Sequence, residues 1–149
     1  MGVIGYLDLA GMGGDATAPG HEGDIEVYGL DWAYDASAGA IPFTPMVIHK
    51  RMDRATPHLL QAVTTGLLVS SARMFLTRDT GRGAFDYITL EVHSPRITAF
   101  EFQKGDLGDP DGFVPERIVV EGNWLIVHWV EEASDFSLSD PARMEFRGG

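Results

Sequence analysis

Apolar and polar positions alternate with a period of two along most of this chain, and the pattern shifts to a helical period only once. Val3, Gly5, Leu7 and Leu9 fall on one face of a first predicted strand, with Ile4, Tyr6 and Asp8 on the other. A second strand is predicted over 24–34, where Ile25 and Val27 share a face and Gly29 marks a bulge or bend. A third covers 46–52, with Met46, Ile48, Lys50 and Met52 alternating against Val47, His49 and Arg51. Further strands follow over 71–78 (Ala72, Met74 and Leu76 in step), 85–93 (Ile88, Leu90 and Val92) and 97–103 (Phe100 and Phe102 aligned). Residues 115–130 hold either one long bulged strand or two strands parted near Gly122-Asn123, with Trp124, Ile126, His128 and Val130 on one face.

The helical stretch is 56–66. Thr56 is expected to cap its first turn through the hydroxyl, and Pro57 suits the first helical position, where a missing N–H costs nothing. Leu59, Leu60, Ala62 and Val63 form an apolar stripe at helical spacing, and Gly66 supplies a left-handed stop.

The connections are read from composition. Residues 10–20 contain Gly11-Met12-Gly13-Gly14-Asp15-Ala16, which formally fits a dinucleotide-binding glycine pattern. That pattern needs a helix N-terminus directly behind it to hold a pyrophosphate, and Thr17-Ala18-Pro19-Gly20 opens none. The stretch is expected to be a flexible connector. Residues 35–45 read as a small-residue and proline loop, and 79–83 as a hairpin turn. Residues 105–112 read as a solvated acidic turn, because the ligand spacing and closing Glu of a calcium loop are absent. The layout of three strands, one helix and four or five strands predicts a mainly β fold. The expected form is a small β-barrel of two packed antiparallel sheets with one short helix at about 56–66. One domain is expected over 1–132, and 133–149 as a C-terminal extension, partly disordered.

Composition then narrows the function. With 149 residues, 44% of them hydrophobic, the chain can bury a core of its own. It carries 11 Lys and Arg against 22 Asp and Glu, a net charge of −11, which argues against nucleic acid or an anionic membrane surface as partner. It has no cysteine, so disulfides and thiolate metal sites are excluded. The start of the chain shows no basic region and no long apolar run, and Tyr6 stands where a myristoylation motif wants Ser or Thr. The expectation is a protein made in the cytoplasm without a signal peptide and without membrane insertion.

No chemistry stands out. The histidines at 21, 49, 58, 93 and 128 form neither His-x-His nor His-Glu-x-x-His, and the serines lack a Gly-x-Ser-x-Gly elbow. Trp32, Trp124 and Trp129 lie in strand contexts without interleaved Lys or Arg, which suits core packing rather than base stacking. The chain is therefore not read as an enzyme, and no catalytic, cofactor-binding or metal residue is assigned. Charge is instead segregated. The first 49 residues hold no Lys or Arg, and Lys50, Arg51 and Arg54 then arrive together. Acidic and basic faces arranged this way are expected to meet between subunits.

With these elements in place, the chain resembles the Hcp (hemolysin-coregulated protein) family, the inner-tube proteins of type VI secretion systems. The resemblance is carried by Val47-Ile48-His49-Lys50-Arg51-Met52-Asp53-Arg54-Ala55-Thr56-Pro57-His58-Leu59, continuing to Ala62 and Gly66. His21-Glu22-Gly23-Asp24-Ile25-Glu26-Val27 with Trp32, Asp86-Tyr87-Ile88-Thr89-Leu90 and Glu116-Arg117-Ile118-Val119-Val120 are similar to other family strands. The resemblance implies homo-hexameric rings that stack into a tube, carry effector proteins through a channel, and work with a spike protein and a contractile sheath. It implies secretion by that apparatus and no cofactor. It also maps a ring-stacking loop to about 33–43. The expected subunit or ring-stacking contacts are Asp31, Asp35, Ser37, Lys50, Arg51, Asp53 and Arg54. The alternatives are a monomeric small-ligand-binding β-barrel module and a tail-tube protein of a phage-like contractile particle.

Overall fold

The computed structural model of the protein describes residues 2–33, 45–79, 83–102, 114–130 and 142–147. The elements are β1 (Gly5–Leu9), β2 (Ile25–Asp31), β3 (Met46–Arg51), α1 (Thr56–Thr65), β4 (Ala72–Asp79) and β5 (Ala84–His93). They continue with β6 (Arg96–Phe102), β7 (Pro115–Glu121), β8 (Trp124–Trp129) and β9 (Ala142–Arg147). The alternation in the sequence becomes the two faces of the sheet. Leu7, Ile25, Val27, Ile48, Met74, Leu90, Ile97, Ile118 and Leu125 all enter one buried cluster, to which every strand from β1 to β8 contributes. Gly29 lies at the register shift that bends β2 against β3, as its position predicts.

Among the described residues the fold is mainly β with one short helix. All pairing is antiparallel, and the hydrogen bonds run through one nine-stranded sheet in the order β6-β7-β3-β2-β1-β4-β5-β8-β9. The expected form, two separate sheets closed as a barrel, takes this different shape for a local reason. The run β5–β6 and the run β7–β8 are the arms of one long hairpin folded across its middle. One half pairs Arg96 with Glu121, the other His93 with Trp124, and at the fold the Asn123 N–H donates to the His93 carbonyl at 3.3 Å. The two ends of the sheet are thus joined through chain corners, while β6 and β9 remain unpaired with each other.

Gly122 makes that corner fit. A Cβ there would sit 2.2 Å from Val92 Cγ1 and 2.8 Å from the His93 carbonyl oxygen. Gly122→Ala is expected to cost about 1–3 kcal/mol, the usual range for overpacking a closed site. Urea unfolding reads this as a lower midpoint at constant slope, and an unchanged midpoint would contradict the corner geometry.

The helix begins differently from the expectation. Ala55 occupies the cap position and Thr56 the first helical one, with Pro57 behind it, and no side chain caps the turn. The Thr56 hydroxyl is turned inward and donates to the Glu116 carboxylate, a charge-assisted bond stronger than the one it would accept from a helix amide as a cap. Asp53 orders the entry instead: its Oδ1 accepts from the Ala55 N–H at 3.0 Å, and its carbonyl from the Thr56 N–H at 3.1 Å. Gly66 ends the helix in the left-handed region at φ 65°, as predicted. Leu59 and Ala62 are buried and Val63 half-buried, but Leu60 faces solvent, so the stripe is narrower than its spacing suggests.

Two further expectations are corrected. Residues 10–24 are a folded segment rather than a flexible connector, for Met12 and Ala16 are buried and the Gly14 and Ala16 N–H groups donate to the carbonyls of Gly23 and Asp24. Gly14 serves close approach, since a Cβ there would lie 2.6 Å from the Asp24 carbonyl oxygen. Residues 142–147, expected within a partly disordered extension, form β9 and pair with β8 from Trp124↔Arg147 to Trp129↔Ala142. β8 would otherwise present a bare row of backbone donors and acceptors, and β9 satisfies them. The predicted loop 35–44, the middle of the 79–83 turn and the acidic turn 105–112 lie outside the described residues.

Candidate subunit interface

Lys50 was expected at a subunit contact, yet it lies on the core face of β3, in step with Met46 and Ile48, and its side chain is wholly buried. Its Nζ donates to Glu116 Oε1 at 2.5 Å and to the Arg51 carbonyl at 2.8 Å, and pairs with Asp53 Oδ1 at 3.1 Å. The Thr56 hydroxyl donates to the Glu116 carboxylate at 2.9–3.0 Å and accepts from the Asp53 N–H at 3.1 Å. One cluster therefore ties β3, β7 and the start of α1 together. The Lys50 charge is neutralised inside the subunit and is not presented to a neighbour; Asp53, mostly covered, belongs to the same cluster.

Arg51 and Arg54 are placed on the adjoining surface. The Arg51 guanidinium sits 4.1 Å above the Tyr28 ring, and the Tyr28 hydroxyl donates to Glu26 at 2.8 Å. Burial, the Glu26 hydrogen bond and the Glu26 charge push the Tyr28 phenol up to about 12, so it stays neutral at any ordinary pH. Arg54 donates to the Gly14 carbonyl at 2.8 Å and pairs with Asp15 at 3.3 Å, the Arg54 and Asp15 side chains being largely exposed. A cavity of about 200 Å³ opens between Asp15, Glu26, Tyr28, Arg51, Met52 and Asp53. This surface combines fixed cations with acidic neighbours. Such a mix of cations and carboxylates can complement another charged surface.

The remaining expected contacts are scattered. Asp31 stands at the opposite end of β3 from Arg51, where it accepts from or faces His49 Nε2 at 3.2 Å in an exposed pair. Asp35 and Ser37 lie outside the described residues. Among the described residues no set of three His, Asp or Glu side chains converges as a metal site, and no helix is long and apolar enough to cross a membrane.

Two features escaped the sequence reading. Glu116 shares its face of β7 with Ile118 and Val120, so a carboxylate on a core face was the available sign of an internal partner for Lys50. His21 is the other. It bridges Asp24 and Asp86 at 2.9 and 2.8 Å and stacks on Tyr6 at 4.4 Å, and no spacing along the chain announces a contact 65 residues apart.

Solved structures share this architecture along nearly its whole length. Hcp1 from Salmonella typhimurium superimposes with a TM-score of 0.82 at 15% identity, covering 99% of this chain and 95% of that one. A type VI secretion system effector from Yersinia pestis gives 0.79 at 17% identity, covering 96% and 98%. The secreted protein Hcp3 from Pseudomonas aeruginosa gives 0.74 at 16%, covering 99% of both chains. At these identities the likeness defines the fold alone, an antiparallel β structure with one short helix among the described residues. None of the curated proteins matches the chain. The sequence model of the family described as "Type VI secretion system effector, Hcp" matches residues 6–121, and the chain belongs to that family. It is accordingly a type VI secretion tube protein, from a family that these systems secrete.

Proposed function

We propose that the chain acts by assembly, as the repeating subunit of homo-hexameric rings that stack into a tube and carry effector proteins along its channel. Its partners are further copies of itself, the spike protein and contractile sheath of the apparatus, and the effectors; it leaves the cell through that apparatus and performs no catalysis of its own. The observation that carries this reading is the family match over residues 6–121. The surface around Arg51 and Arg54 supports it, because it joins two cations to Asp15 and Glu26 on a chain of net charge −11. Subunits that acidic repel one another unless basic groups meet acidic ones at their contacts.

Lys50 is left out of the proposed contacts because it is buried, and the proposal keeps Asp31, Arg51 and Arg54 as surface groups. Asp35 and Ser37 are kept as proposed stacking contacts, and Asp53 as the residue that positions the entry to α1. Arg51→Glu combined with Arg54→Glu should cost about 1–2 kcal/mol, since the exposed Arg54 ion pair contributes about 0–1 kcal/mol and the Arg51 contact with the Tyr28 ring a similar amount. The same double variant should lower the oligomer's mass in multi-angle light scattering. An unaltered mass at low and physiological salt would remove this surface from the assembly.

A further inference from the structure

His21 precedes β2 in the chain, yet its ring crosses the outer face of β1 and β4 to reach β5. It stacks on Tyr6 of β1 at 4.4 Å with the planes 9° apart, and it meets Phe75 of β4 at 4.9 Å. Beyond them its Nε2 lies 2.8 Å from Asp86 Oδ1, while its Nδ1 lies 2.9 Å from Asp24 Oδ2 in its own segment. Both ring nitrogens therefore face carboxylate oxygens, and the residue is 8% exposed. An ionised carboxylate only accepts hydrogen bonds, and a neutral imidazole offers one N–H. Two such bonds at once require the imidazolium.

We propose that His21 is a proton-operated fastener, which as imidazolium clamps residues 18–24 across β1 and β4 to Asp86, and which on losing its proton releases that turn from the sheet. A neutral ring turns a lone pair toward one of the two carboxylates, and that contact becomes repulsive in a partly buried setting. The first half of the segment has its own anchors, the buried Met12 and Ala16 and the Arg54 contacts to Gly14 and Asp15, and backbone hydrogen bonds from Gly14 and Ala16 hold Gly23 and Asp24, so release is confined to the tip of the turn around His21. What it uncovers is the pair of rings of Tyr6 and Phe75.

The surrounding groups agree with this. Burial works against the His21 charge, but the hydrogen bonds to Asp24 and Asp86 and the charges of both carboxylates outweigh it and hold the ring above its ordinary 6.5. Burial raises the Asp24 carboxyl despite the His21 hydrogen bond, with the Asp8 carboxylate adding to the rise and Arg73 opposing it. Tyr6 is raised by burial and by Glu26 and Asp86, and so stays neutral and contributes only its ring. Arg73 pairs with Asp8 at 2.8 Å and lies 5.4 Å from the Phe75 ring. A folded-state pKa raised above 6.5 stabilises the clamp fully below that pH. The contribution is lost as pH rises through the folded-state value.

Histidine C2 hydrogen exchange read by mass spectrometry gives the His21 pKa in the assembled protein, and amide exchange of peptides covering 18–24 gives the opening. The expected result is a His21 pKa above 6.5. Amide exchange in the turn, corrected for intrinsic rates, should accelerate between pH 6 and pH 9 by about tenfold for each unit of that elevation, with β1 unchanged. Asp86→Asn, whose amide can pair with a neutral ring, should abolish the acceleration. A wild-type His21 pKa at or below 6.5 overturns the proposal without any variant, and so do identical pH profiles for the wild type and Asp86→Asn.

Discussion

Replacing Glu116 by alanine is expected to destabilise the fold by about 3–5 kcal/mol, the range measured when one partner of a buried ion pair is removed. The reason is that Lys50 would be left fully buried with its Nζ facing the space where the carboxylate had been. Asp53 and the Arg51 carbonyl would still accept from it, but Glu116 is the shortest of its contacts and also takes the Thr56 hydroxyl. Lys50→Met should cost a comparable amount by stranding Glu116. The double variant Lys50→Met with Glu116→Leu should recover part of the loss, because apolar groups of similar volume replace the buried pair, while Asp53 loses its cation but keeps the Ala55 N–H. Urea unfolding of the wild type, Lys50→Met, Glu116→Leu and the double variant closes the cycle. Single variants within about 1 kcal/mol of wild type would show that the cluster does not carry the junction of β3, β7 and α1.

Leu59→Ala is expected to cost about 2–5 kcal/mol, as for other large-to-small substitutions in packed cores. Leu59 has no exposed surface and is the largest side chain by which α1 enters the cluster of buried residues. Leu60, its neighbour, is 40% exposed, so Leu60→Ala should change stability by less than about 1 kcal/mol. The contrast between adjacent leucines is the informative part. Comparable losses at both positions, measured by denaturant midpoints, would mean that a wider face of the helix is buried than the structure shows.

The same leucines show where the sequence was legible. Period-two alternation located β1 to β6 and the buried faces of β1 to β5, because burial on one side imposes that period directly; it left β7 and β8 open as one bulged run or two, and in β8 it grouped Trp124, Ile126 and His128 although Leu125 and Val127 face the cluster. Gly29 and Gly66 could be read because a bulge and a left-handed stop each favour glycine. β9 was not legible: Arg143-Met144-Glu145-Phe146-Arg147 sits in an acidic tail, and its pairing depends on β8 offering an edge. Thr56 was misread because a hydroxyl ahead of Pro57 looks like a cap, and only the tertiary position of Glu116 gives it a better partner.

The candidate surface was legible in composition but not in role. The run of Lys50, Arg51 and Arg54 stands out in an acidic chain, but periodicity alone already set Lys50 beside Met46 and Ile48 on the inward face. Arg51 and Arg54 point to the surface instead. The run of cations thus divides into Lys50, whose internal pair locks the helix to the sheet, and Arg51 and Arg54, surface cations over Tyr28 and against Asp15 that we propose as subunit contacts.

Native mass spectrometry of the untagged protein at micromolar concentration and physiological salt tests the central claim most directly. A closed ring predicts one dominant species at six times the 16.2 kDa subunit, with stacked rings at multiples of that mass. A single species at 16.2 kDa across the concentration range would contradict the assembly account and leave the fold without the function proposed for it.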